Sequence, residues 1–83
     1  YDEAIRLEPG YENAWFNRGN YYIENDEPEK AIRDYTKAIR LKPGEADTWY
    51  SRGISHQETG NQSAAEADFR KAAELGLIKP NGK

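Results

Sequence analysis

His56 is the one histidine of the chain, and Ser51 and Ser55 precede it by five residues and one residue. A serine nucleophile needs a base that reaches its proton and a third group that orients the base. Here helical spacing leaves two surface hydroxyls beside a lone imidazole, which is no oriented triad. With no cysteine and no second histidine, His56 has no companions for an ordinary zinc site, so it reads as a packing side chain. No catalytic residue, metal site or cofactor follows from these groups, and an enzymatic role would have to come from elsewhere in a parent protein. The triplet Asn61-Gln62-Ser63 fits a glycosylation acceptor, a match short enough to arise often by chance.

Arg18 and Arg52 are the other residues with chemistry to offer. Each is followed sixteen residues later by an aspartate, Asp34 and Asp68. Both arginines fall on the inward side of a helix, where an uncompensated charge is costly. Arg18–Asp34 and Arg52–Asp68 ion pairs are therefore expected, with anion binding by the two arginines as the functional alternative. Net charge is −3, a third of the residues are charged and 36% are hydrophobic, a strongly solvated composition. Lysine and arginine are spread along the chain instead of forming one block, so neither nucleic acid nor a local phosphate-binding stripe is expected. No apolar run is long enough for a membrane span and no leader is evident. A soluble chain follows, cytoplasmic in preference to periplasmic, although the absence of cysteine leaves the redox compartment open.

The elements that must position these residues come from a repeat. A shift of 34 residues moves Trp15 onto Trp49, Arg18 onto Arg52 and Gly19 onto Gly53. Ala31, Asp34, Tyr35, Lys37 and Ala38 land on Ala65, Asp68, Phe69, Lys71 and Ala72 by the same shift. Backwards, it carries "AIRLKPG" onto "AIRLEPG" near the start of the chain. Within each period two amphipathic helices are legible. Trp15, Gly19 and Tyr22 share one helical face, and Trp49, Gly53 and His56 repeat it. The second helix opens at Asp26-Glu27-Pro28-Glu29, with Asp26 expected as N-cap, Glu29 closing a capping box and Pro28 in the first turn. Pro43 and Gly44 stop it near Leu41. In the later copy Gly60 is the stop and Asn61 the N-cap. No strand alternation is present, so the expected class is all-α.

Tryptophan, glycine, tyrosine, alanine, an aromatic, alanine and proline at these offsets resemble the tetratricopeptide repeat, a helix-turn-helix unit. The resemblance runs from Tyr1 to about Leu75 and implies an α-solenoid of antiparallel helix pairs. Residues 1–10 read as the second-helix tail of a truncated repeat, 11–44 as repeat one, 45–77 as a terminal repeat two and 78–83 as a tail. The chain thus reads as a C-terminal piece of a longer array. Three positions depart from the family pattern: arginine stands where leucine is usual at Arg18 and Arg52, His56 replaces an aromatic, and Leu77 replaces the closing proline.

The expected core is Trp15, Gly19, Tyr22, Ala31, Tyr35, Ala38, Trp49, Gly53, Ala65, Phe69 and Ala72. Small residues let helices approach, and each large ring contributes roughly 1.5–3 kcal/mol by burial. Stacked repeats of this kind line an inner, concave wall with their first helices. Asn13, Phe16, Asn17, Asn20 and Ile23 in one repeat, with Asp47, Tyr50, Ile54 and Gln57 in the next, lie on that flank and outside the intra-repeat core. They make an apolar strip edged by amides, suited to a peptide or helix of a protein partner. The alternative is that Phe16 and Tyr50 pack on each other between adjacent helices.

Some members of the family hold the C-terminal carboxylates of heat-shock chaperones in a clamp of lysine, asparagine and arginine. Asn17 matches the clamp's central asparagine, but Asp47 and Ser51 stand where lysine and arginine would follow, and Phe16 replaces the initial lysine. Chaperone-tail capture is not implied. At the far end Ile32 and Ile39 become Glu66 and Ala73, as a terminal repeat with a polar outer face requires. Tyr1, Ala4, Ile5 and Leu7 belong to a helix without its partner, so a homodimer or docking to the parent protein is the second functional reading.

Overall fold

The computed structural model describes residues 12–76, which form four α-helices: α1 (Glu12–Glu24), α2 (Pro28–Leu41), α3 (Ala46–Glu58) and α4 (Gln62–Glu74). No strand occurs among the described residues. α1 packs along α2 and α3 along α4; the two hairpins join mainly through α2 against α3, and α1 meets α3 over a smaller area. The result is a pair of antiparallel units stacked in series. The expectations placed on residues 1–10 and on the tail from Leu77 onward lie outside the described residues.

Size complementarity holds each hairpin together. Ala31, Ala38, Ala65 and Ala72 are wholly buried on the inner faces of α2 and α4. Opposite them, a Cβ built on Gly19 would lie 2.6 Å from Tyr35 Cε1, and one built on Gly53 would lie 2.6 Å from Phe69 Cε1. Real carbon atoms do not approach so closely, so the two glycines are where the aromatic rings of α2 and α4 rest. Ala14, Ile39, Thr48, Ser55, Asp34 and Asp68 are buried as well. Ile39 is buried while Ala73, its counterpart on α4, is exposed, as is Glu66 opposite Ile32.

Two expectations change. Asp26 is not the N-cap of α2; that position is Glu27, whose side chain makes no cap hydrogen bond, with Pro28 opening the helix. Asp26 instead sits at φ 62° in the left-handed turn between α1 and α2. Gly60 holds the equivalent place between α3 and α4 at φ 85°. The shift of 34 that relates the repeats therefore relates these two turn residues, and the turn demands a left-handed residue before it demands a cap. Asn61 does cap α4, its side chain accepting from the Ala64 N–H at 3.4 Å.

The second change concerns the large rings. Tyr35 is 1% exposed, but Trp15, Tyr22, Trp49 and Phe69 are only half-buried. Cations lie over both indole rings. Arg18 and Lys37 lie 5.2 and 5.9 Å from the Trp15 ring centre, and Arg52 and Lys71 lie 5.1 and 5.8 Å from that of Trp49. Contacts of this kind cover an indole with a side chain whose charged end stays wet.

Candidate partner-binding surface

The arginines that the sequence places inward are held as follows. Arg18 donates from Nε to Asp34 Oδ2 at 2.7 Å and from Nη2 to Oδ1 at 2.9 Å. Arg52 meets Asp68 in the same two-pronged way, both bonds at 2.8 Å. Each aspartate is almost fully buried while its arginine keeps a fifth or so of its surface in water. Arg52 also donates to the Thr36 hydroxyl of the preceding hairpin, and the Trp49 indole N–H donates to the Pro43 carbonyl. His56 Nε2 lies 3.7 Å from Asp68 Oδ2, so the histidine packs beside an aspartate already bound by arginine. Among the described residues no cluster of acidic residues, histidine or cysteine is built to hold a metal ion.

The flank expected to receive a partner is a mixture of exposed polar and half-covered apolar side chains. Asn13, Asn17, Asp47 and Gln57 are exposed; Phe16, Asn20, Ile23 and Ile54 are half-buried; Tyr50 keeps 37% of its surface. These residues are not separate from the intra-repeat core. The Phe16 ring lies 5.8 Å from Tyr35 at an interplanar angle of 48°, and the Tyr50 ring lies 5.3 Å from Phe69 at 47°. Each ring thus leans on the second helix of its own repeat, where the alternative reading had Phe16 and Tyr50 on one another. The reason is geometric: α2 and α4 each offer a ring lodged over a glycine, and the aromatic residue three positions before that glycine on α1 or α3 tilts onto it.

Asn20 is likewise engaged, its Oδ1 accepting from the Tyr35 hydroxyl. Burial pushes the Tyr35 phenol up to about 12, while a hydrogen bond with Ser51 acts in the opposite direction. Tyr35 therefore ties α1 to α2 and reaches α3. Two residues were not foreseen. Tyr21 exposes half its surface one turn beyond Asn17, and a large exposed aromatic at that spacing is a signal the sequence does carry. Ser51 was weighed beside His56 and at a clamp position, and nothing in its local sequence marks it as a neighbour of Tyr35.

Family models described as Tetratricopeptide repeat match residues 12–45 and 46–75. The chain belongs to the tetratricopeptide repeat family. Members of this family are generally protein–protein interaction modules and typically act as non-catalytic scaffolds. The two matched stretches cover both helix pairs, so all of the geometry above lies within tetratricopeptide repeat units. No curated protein matches the chain. No described helix is long and apolar enough to cross a membrane.

Proposed function

We propose that this tetratricopeptide repeat chain binds an extended peptide or a helix of a protein partner along the flank formed by α1 and α3. The carrying observation is Tyr50: a tyrosine seated on Phe69 keeps 37% of its surface open, between exposed Asp47 and Gln57. A ring held from behind and open in front offers contact area at little entropic cost to itself. Phe16 repeats the arrangement on α1. Asn17 and Gln57 supply amide groups that can both donate to and accept from a peptide backbone. Two repeats present a small area, so affinity is expected to be modest.

The experiment is an array of immobilised peptides probed with the purified chain. Phe16→Ala with Tyr50→Ala should abolish capture of the selected peptides. Because both rings also pack internally, Asn17→Arg with Gln57→Arg, which touches exposed positions only, serves as the companion variant and should weaken the same peptides with helicity unchanged. An array pattern identical for wild type and both variants would remove the flank as the binding surface.

A further inference from the structure

Lysine and arginine look dispersed along the sequence, yet Lys30, Arg33, Lys37 and Arg40 recur on α2 at intervals of three and four residues. That spacing puts them on one helical stripe about 15 Å long. Arg33, Lys37 and Arg40 of the stripe line a groove of about 530 Å³ together with Trp15, Ile32 and Thr36. Scattered in the sequence, these charges fall into one row only once the chain is helical.

The second repeat supplies an internal control. Its α4 keeps Lys71, which lies over Trp49 together with Arg52, but the other three positions are Ala64, Ala67 and Glu74. A helix pair of the same architecture is therefore built without those three charges. Lys30 lies over Tyr22 and pairs with Glu27 at 2.8 Å, whereas Arg33 and Arg40 are exposed and have no carboxylate within ion-pair distance among the described residues. In a chain of net charge −3, these two arginines on one side of the groove, with Lys37 between them, are a concentration against the overall balance.

We propose that this groove is a second binding surface, for an acidic peptide segment with apolar residues among its carboxylates. The carboxylates would meet Arg33 and Arg40, with Lys30 and Lys37 adding to the field, and an apolar side chain would enter between Ile32 and the Trp15 ring. Charge complementarity along the stripe fixes register and raises the encounter rate. Nucleic acid fits less well, because a polyanion longer than the stripe of about 15 Å would run on over a chain whose net charge is −3.

The test is fluorescence anisotropy with the full chain and a fluorescein-labelled heptapeptide alternating glutamate and leucine. The informative variant transplants the second repeat's residues: Lys30→Ala, Arg33→Ala and Arg40→Glu. Wild type should bind, with affinity falling on raising salt from 50 to 500 mM, and the variant should bind about tenfold or more weakly with unchanged helicity. Asn17→Arg with Gln57→Arg should leave this binding intact, which separates it from the α1–α3 flank. Equal binding by the triple variant, equal binding of a peptide with glutamine in place of glutamate, or tighter binding of an oligouridylate of the same charge would each overturn the proposal. So would salt-sensitive self-association of wild type that the triple variant loses, since the groove would then belong to a second copy of the chain.

Discussion

The Tyr35 hydroxyl donates to Asn20 Oδ1 across the α1–α2 interface, and the equivalent positions of the next repeat, Phe69 and Ile54, carry neither donor nor acceptor. Both partners change together between the two repeats, so the polar pair and the apolar pair are alternative solutions to one packing site. Removing a single partner should hurt more than exchanging both. Asn20→Ile alone is expected to destabilise the chain by about 1–3 kcal/mol, and Tyr35→Phe with Asn20→Ile to recover most of that loss. Urea unfolding of the two single variants and the double variant measures the coupling; additive losses would contradict it.

Tyr35 also sets a limit at high pH. Its phenol keeps the proton to about 12 in the folded chain because burial disfavours the anion, whereas the unfolded chain releases it near 10. The folded state then holds the extra proton, so stability is complete below pH 10 and falls as pH rises toward 12. Chemical unfolding measured between pH 9 and 12 should show this decline, and Tyr35→Phe should make it shallower. An identical slope in the variant would assign the decline to other groups.

Gly19 and Gly53 should resist substitution where Gly44 does not. An added methyl at Gly19 or Gly53 meets the ring of Tyr35 or Phe69 at 2.6 Å, whereas at Gly44 nothing lies within 4 Å. Gly19→Ala and Gly53→Ala are expected to cost about 1–3 kcal/mol through overpacking despite alanine's better helix propensity. Gly44→Ala should be neutral or slightly stabilising. Thermal melts of the three variants give the order directly.

At the α1–α2 turn the prediction runs the other way. Asp26 occupies a left-handed conformation that Gly60 fills in the next turn. Asp26→Gly should stabilise by up to about 1 kcal/mol, because glycine meets positive φ without a Cβ clash. A drop in melting temperature would mean that the aspartate side chain supports the turn.

The two-pronged pairs at Asp34 and Asp68 predict a larger loss. Asp34→Asn and Asp68→Asn should each destabilise by about 2–4 kcal/mol, since each leaves a partly buried guanidinium without its counter-charge. Equilibrium unfolding tests the magnitude; a change below 0.5 kcal/mol would count against a structural role.

The helix pairs were legible because one shift of the sequence aligned glycine, alanine and aromatic residues that exist for packing, and packing has a fixed period. The arginine–aspartate spacing was legible for the same reason, as antiparallel helices fix which turns face each other. Asp26 was misread because the same four residues satisfy a capping pattern and a left-handed turn, and only backbone geometry chooses. That Phe16 and Tyr50 of the flank also rest on Tyr35 and Phe69 was not legible, because helical angle alone does not say how far a large ring leans over a neighbouring helix. The cationic stripe escaped notice because charges three and four residues apart look scattered in one dimension. Tyr35 with Asn20 and Phe69 with Ile54 could have been found by asking which positions switch polarity together between repeats.

The bonds from Trp49 to Pro43 and from Arg52 to Thr36 both span the seam between hairpins, reaching from the second unit back to the first. They act like keys in a lock: a foreign helix pair spliced ahead of α3 would need a carbonyl and a hydroxyl at those two places to seat at the same angle. Without them the junction would keep the Tyr35–Ser51 bond and its apolar contacts but lose two of the fixed points that set the angle between the hairpins.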